Sequence, residues 1–453
     1  MSTTTSQQLV QRLWSFCGVL RDDGLSYPDY VEQLTYLLFL KMVDERRLKA
    51  TIPEEFSWRS LRTENANAFA RRYEKALRGL SRGDGLLSTI FGDARNRIQD
   101  PRKLHVLAMK YIDGAQWADY RGDVLADAYE GLLDRTADDL KSGAGQYFTP
   151  RPLIDAMLSV TGVVSGETVF DPACGTGGFL LSAHNEALAQ GLKRVSFTGI
   201  EIVKGVARLA AMNMLLHGVT NARDGQPIKV GDGLEHSNQR YSLIVTNPPF
   251  GKKSSLGALS RNGHYEGAAK PPTGNKQLLF LLKVMDSLKS GGRAAVVVPD
   301  NVLFEGGVAH SVRRRLMTDF NLHTILRLPL GIFYAAGIKA SVIFFGDAEP
   351  RDKFRVYDLR TNCRKSLRKN PLSAEDLAEF VATANSIRAP KGTRWSTFQT
   401  AEILGSSTAG LDVGLIDDEG GQPREGRVLD AIDEFEAALS LLRELVTNPD
   451  QPR

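Results

Sequence analysis

A chain of 453 residues is long enough to bury a sizeable core and to hold two or three domains. Its formal net charge of +4 is close to balance for that length and argues against a stand-alone duplex binder, which is usually more basic. Cys17, Cys174 and Cys363 have no paired spacing, which argues against a disulfide framework or a zinc site and for a reducing, cytoplasmic compartment. The amino terminus, Met1-Ser2-Thr3-Thr4-Thr5, lacks a basic region followed by an apolar core. The apolar stretch Leu37 to Leu40 is too short to span a bilayer, so no membrane association is expected.

Residues 1–140 read as a helical domain. Tyr30 to Val43 is apolar nearly all round, as in a buried helix, and Asp123 to Leu140 carries helical spacing through Leu125, Tyr129, Leu132 and Leu133. The pattern breaks at Lys141-Ser142-Gly143-Ala144-Gly145. Residues 141–400 form the second expected domain, with short apolar strands alternating with helices. The strands are Thr168 to Phe170, Ser196 to Ile200, Ile228 to Val230, Ser242 to Val245, Ala294 to Val298, His323 to Leu328 and Ser341 to Phe345. Val203 to His217 and Gln277 to Leu288 are expected helices. Such alternation predicts an α/β, doubly wound sheet. Gly251 to Gly274, with Lys252, Lys253, Arg261 and Lys270, reads as a long basic loop of the kind that is functional or disordered. Residues 401–453 read as a flexible segment and an amphipathic tail. Val428, Ile432, Phe435, Leu439, Leu442 and Val446 form an a/d stripe there, suited either to a partner helix or to packing on the chain's own domain.

Two motifs carry chemistry. Asp171-Pro172-Ala173-Cys174-Gly175-Thr176-Gly177-Gly178 follows the first strand and should open a helix, as nucleotide-binding loops do. Gly175 and Gly177 allow close approach of backbone to a ligand. Leu180 stands where G-x-G-x-x-G requires its third glycine and no Walker lysine follows, so dinucleotide and ATP sites are disfavoured. Glu201 ends the next strand, roughly two dozen residues on, near the ~20-residue spacing of an acid that holds ribose hydroxyls. Asp232 ends the strand after that. Each of these also reads as an ordinary strand-end or turn carboxylate.

The second motif is Asn247-Pro248-Pro249-Phe250, directly after a strand. An exocyclic amine of a base is a poor nucleophile because its lone pair is spread into the ring. Two acceptors aimed at its hydrogens draw the pair back, and the Asn247 side-chain oxygen and the Pro248 carbonyl can supply them. Consecutive prolines fix φ and remove donors. Phe250 can stack on a base taken out of a duplex. Alone, the tetrapeptide also reads as a polar turn.

Taken with Gly145 to Pro152, in the order closing segment, glycine loop and Asn-Pro-Pro-Phe, these motifs resemble the gamma arrangement of DNA amino-methyltransferases. Val298 to Phe304, Leu328 to Phe333 and Tyr357 to Asn362 further resemble the modification subunit of type I restriction–modification systems, as does the helical start from Leu13 to Arg47. The resemblance implies a Rossmann-like S-adenosylmethionine methyltransferase domain with a helical N-terminal domain and a C-terminal helical tail. It implies methylation of adenine N6 in double-stranded DNA, with catalysis by Asn247, Pro248, Pro249 and Phe250. It places Gln146, Tyr147, Phe148, Thr149, Pro150, Arg151, Asp171, Gly175, Thr176, Gly177, Gly178, Glu201 and Asp232 around the cofactor. It implies a specificity subunit shared by two copies of this chain, and a restriction subunit. Ala335 to Ala340 departs from the family, which more often has Thr-Gly-Val and a following Thr. A solitary DNA methyltransferase, a protein-glutamine or RNA methyltransferase and an inactive cofactor-binding scaffold are the alternatives. Arg313-Arg314-Arg315 reads as a solvated helix face or a phosphate contact, and Arg364, Lys365, Arg368 and Lys369 read likewise. The seven histidines form no ligand pattern, and no metal is expected.

Overall fold

The structure, a computed structural model, describes residues 24–46, 52–114, 117, 149–219, 226–250, 273–333, 338–366, 370–386 and 394–413. The chain forms two compact units: residues 1–148 with 162–247, and residues 149–161 with 248–453.

The first unit joins helices to a parallel sheet. Helix Tyr27–Glu45 is entered through Ser26, whose hydroxyl accepts the Asp29 N–H, and has a proline in its first turn. It is buried over most of its surface, as the all-round apolar pattern predicts. Gln33 is also fully buried, and its amide is satisfied by donating to the Arg95 carbonyl and accepting from the Arg97 N–H. Strands β1 (Thr168–Asp171), β2 (Ser196–Glu201), β3 (Ile228–Val230) and β4 (Tyr241–Thr246) lie in the order β3-β2-β1-β4, and the pairs β1–β2, β1–β4 and β2–β3 are parallel. The connection from β1 to β2 runs through helix Gly178–Ala189, and that from β2 to β3 through helix Lys204–Leu216. Because β1 is the inner strand from which the winding departs both ways, the carboxyl ends of β1, β2 and β4 meet at one edge, where such sheets bind ligands.

Helix Lys204–Leu216 also meets the N-terminal helices. Arg208, 5% exposed, pairs with Glu32 and Asp93 and lies 5.0 Å over the Tyr36 ring. Burial of this guanidinium is compensated by two carboxylates and an aromatic face together.

The second unit carries β5 (Leu288–Pro299), β6 (Asn321–Arg327), β7 (Ala340–Gly346), β8 (Lys353–Asp358) and β9 (Trp395–Gln399), in the order β5-β7-β6-β8-β9. Strand β7 runs antiparallel to both β5 and β6, β6 and β8 are parallel, and β8 and β9 are antiparallel. The strands of this unit are therefore in mixed orientation, a feature the strand–helix alternation alone does not specify. Helix Arg151–Thr161 belongs to this unit and is tied to it by the Arg293 guanidinium, which donates to the Thr161 carbonyl at 2.6 Å, and by the Asn385 amide, which donates to the Val160 carbonyl at 3.2 Å.

Of the three-arginine run, Arg314 is exposed and Arg315 partly so, as a solvated face requires, while Arg313 departs from that expectation. Arg313 is fully buried in helix Val308–Thr318, and its guanidinium donates to the carbonyls of Val302, Thr408 and Ala409 at 2.8–2.9 Å. Arg314 donates to the Leu404 carbonyl, and Arg315 pairs with Asp286 at 2.7 Å. Five fixed donors make arginine the side chain able to satisfy several chain carbonyls at once. Lys365 likewise pairs with Asp376 at 2.5 Å; Arg368, Lys369, the 251–272 loop and the 428–446 stripe lie outside the described residues.

Candidate active site

The glycine loop turns as its sequence requires. Gly175 has φ 54° and Gly177 φ 87°, left-handed values that side chains strain to adopt. Gly177 caps helix Gly178–Ala189, and its N–H donates to the Cys174 carbonyl at 2.8 Å. Thr176 is buried. Two further glycines fit the loop onto the sheet. A Cβ on Gly199 would stand 2.8 Å from the Cys174 Sγ and the Leu180 side chain, and one on Gly233 would overlap the Pro172 carbonyl oxygen.

Acids stand at or just beyond the ends of three adjacent parallel strands. Asp171 closes β1 and is 1% exposed; its Oδ1 accepts the Ala173 N–H at 3.0 Å. Burial pushes its carboxyl up to about 7, and the neighbouring Glu201 charge adds to that, against the hydrogen bond from Ala173. Glu201 closes β2. Its two oxygens accept the Gly175 N–H at 3.1 Å and the Val203 N–H at 2.8 Å, so it braces the glycine loop while its remaining lone pairs stay available. Burial raises its pKa, opposed by those N–H groups. Asp232 lies two residues beyond β3 and folds a turn by accepting the Leu234 N–H at 2.9 Å. Beside these acids Ile202 is 63% exposed and Val230 44% exposed, an apolar pair at the same sheet edge. Sequence reasoning gave neither a role; Ile202 directly follows the strand-end acid Glu201, and Val230 stands two residues before Asp232.

Asn247 follows β4, beside β1, and its amide oxygen is shielded from water. In the second unit Pro248 is buried, and Phe250 is 8% exposed with its ring set T-shaped against Phe333, centroids 5.4 Å apart. Phe333 was not singled out by sequence, although it closes the Leu328 to Phe333 motif. That motif is held by Arg360, whose guanidinium donates to the Leu328 and Ala340 carbonyls and pairs with Asp300 at 2.6 Å, while Ser341 donates to the same carboxylate at 2.9 Å. The three motifs at 298–304, 328–333 and 357–362 thus meet in one polar network. Thr149, Pro150 and Arg151 open helix Arg151–Thr161, and the Pro150 carbonyl accepts from the N–H groups of Leu153 and Ile154. Gln146, Tyr147 and Phe148 lie outside the described residues, as do Ala335, Ala336 and Gly337.

The profile of the N-6 DNA Methylase family matches residues 120–410. The chain belongs to that family. The HsdM N-terminal domain profile matches residues 9–109 of the methylase. Over 410 residues, 83% of this chain and 75% of the relative, it is 39% identical to the type I restriction enzyme EcoKI methylase subunit of Escherichia coli K12. Among solved structures it is similar to a chain from a study of complex assembly and conformational transition of the type I R-M system, with a TM-score of 0.66, 25% identity and coverage of 99% of this chain and 100% of that one. The methyltransferase subunit of the type I system from Streptococcus thermophilus shares the fold, with a TM-score of 0.72, 23% identity and coverage of 88% and 97%. The methylase is a type I modification subunit and an adenine-specific DNA methyltransferase, and the solitary, protein-directed, RNA-directed and inactive readings are not favoured. No helix among its described residues is long and apolar enough to cross a membrane.

Proposed function

We propose that the methylase draws its methyl group from S-adenosylmethionine held at the carboxyl edge of β1, β2 and β3, and delivers it to an adenine presented to Asn247-Pro248-Pro249-Phe250. The observation that carries the reading is the convergence of Asp171, Glu201 and Asp232 on the edge that holds a left-handed glycine loop. This donor set suits that cofactor: a carboxylate for the methionyl amine at Asp171, one for ribose hydroxyls at Glu201, and one for the adenine amine at Asp232. Ile202 and Val230 offer apolar surface to the adenine ring. Gly175, Thr176, Gly177 and Gly178 bring backbone close, and the family resemblance assigns Gln146 to Arg151 to the methionine end. When bound, the cofactor supplies a methyl group already activated on a sulfonium. Asn247 and Pro248 then accept hydrogen bonds from the target amine, Pro249 keeps the turn rigid, and Phe250 stacks on the displaced base.

The buried Asp171 gives the cofactor assignment a pH test. Without ligand its carboxyl holds a proton up to about pH 7, whereas a cationic amine favours the carboxylate. Binding must then release a proton below that pH, and affinity weakens by up to about tenfold for each unit of acidification. Calorimetry in buffers of different ionisation enthalpy measures both. Flat affinity from about pH 6 to about pH 8 with no proton release would take Asp171 out of the cofactor contact.

Site choice is assigned to a separate specificity subunit carrying two copies of this chain, with a restriction subunit joining the assembly. A near-neutral chain has little sequence-independent grip on phosphate. The basic 252–270 segment would close over the DNA, and the 428–446 stripe would dock the partner. Methylation of a defined duplex site should need the specificity subunit; efficient site-specific transfer by this chain alone would overturn the arrangement.

A further inference from the structure

Asn213 lies in the last turn of helix Lys204–Leu216 and is 1% exposed. A polar side chain so deeply buried on a helix needs a partner, and this one is the cofactor loop: its Nδ2 donates to the Thr176 carbonyl at 3.0 Å. The peptide between Thr176 and Gly177 is consequently held at both ends, by Asn213 at its oxygen and by the Cys174 carbonyl at the Gly177 N–H, 2.8 Å away. Two neighbours on the same helix face complete the floor. A Cβ on Gly177 would come 2.9 Å from the Met214 methyl and 3.6 Å from the Ala210 Cβ. A loop with glycines at 175, 177 and 178 is otherwise free to sample many conformations, and each would have to be given up when a ligand binds.

We infer that Asn213 is a positioning residue that presets the glycine loop for the methyl donor. This rests on assigning that loop to S-adenosylmethionine. The helix itself cannot drift, because Arg208 on its opposite side is clamped by Glu32 and Asp93. The carbonyl of Thr176 is thereby referenced to the body of the unit and not to the loop alone.

The test uses the full-length chain. Asn213→Leu keeps the bulk but removes the donor, leaving a buried carbonyl unsatisfied. Met212→Ala, the buried residue just before Asn213 and two positions from both Ala210 and Met214, so turned away from the face those two form, is the control for loss of packing. Calorimetric titration with S-adenosylmethionine should show Kd raised about tenfold or more in Asn213→Leu at unchanged binding stoichiometry. A general folding defect would instead lower the fraction of chains that bind. Amide exchange at residues 174–178 should rise in Asn213→Leu and not in Met212→Ala. If Asn213→Leu fails to fold, Asn213→Ser, smaller and still polar, takes its place with the same weakened binding expected. Kd within about twofold of the unaltered chain would overturn the inference while leaving the cofactor site standing. Absence of binding by the unaltered chain would sink the cofactor assignment and this inference with it.

Discussion

Asn247→Ala should reduce methyl transfer to adenine by on the order of 10²–10³-fold or more while leaving S-adenosylmethionine affinity within about twofold. The two effects separate because the side chain serves the acceptor of the methyl group and not its donor. The Asn247 amide oxygen is shielded from water at the end of β4, where a hydrogen bond to the target amine would not be diluted by solvent. Removing it leaves the Pro248 carbonyl as the one remaining acceptor of the pair, and the nitrogen lone pair stays spread into the ring. The measurement is incorporation of labelled methyl into a duplex by the chain assembled with its specificity subunit, followed by nucleoside digestion to identify N6-methyladenine. Calorimetry on the same variant reports the cofactor. Retained activity would remove Asn247 from catalysis, and lost cofactor binding would show that it acts on the loop instead.

The legibility of this chain depends on how local each signal is. Strands β1 to β7 could be read because each is a short apolar run bounded by polar or turn residues. Strand β8 was passed over although its signal was present, since Lys353 and Arg355 alternate with Phe354 and Val356 in the period-two pattern of a half-buried strand. The glycine loop announces its own left-handed turns at Gly175 and Gly177. Glu201 and Asp232 were legible as strand-end acids, but the use of Glu201 as a brace for the Gly175 N–H is a contact across 26 residues of chain. Arg313 illustrates the limit from the other side. Within a run of three arginines Arg313 looks as solvated as exposed Arg314 until the carbonyls of residues 408 and 409 are brought against it, and those lie about a hundred residues away in sequence. Phe333 meets Phe250 only through the fold of the second unit, so neither sequence spacing nor composition could pair them.

Gly233→Ala should weaken S-adenosylmethionine binding by about tenfold or more and cost about 1–3 kcal/mol of stability. Gly231→Ala, two positions earlier, should do neither, staying within about 0.5 kcal/mol. Both glycines flank Asp232, and the difference between them is steric alone, since neither has a left-handed φ. A methyl group at 231 meets nothing nearer than the Ile200 side chain at 3.9 Å, an ordinary contact. A methyl group at 233 would overlap the Pro172 carbonyl oxygen and stand 2.8 Å from the carbonyl carbon, and backbone cannot swing aside as a flexible side chain can. Relief requires moving either the turn that carries Asp232 or the segment Asp171-Pro172-Ala173. Each of those moves displaces a carboxylate assigned to the cofactor. Thermal unfolding and calorimetric titration of the two variants give the comparison directly. Equal behaviour of the pair would mean that the 232–234 turn does not lie against Pro172. Weakened binding by Gly231→Ala alone would place the ligand on the side of the turn that is open here, against the arrangement in which Asp232 reaches the cofactor from beside Pro172.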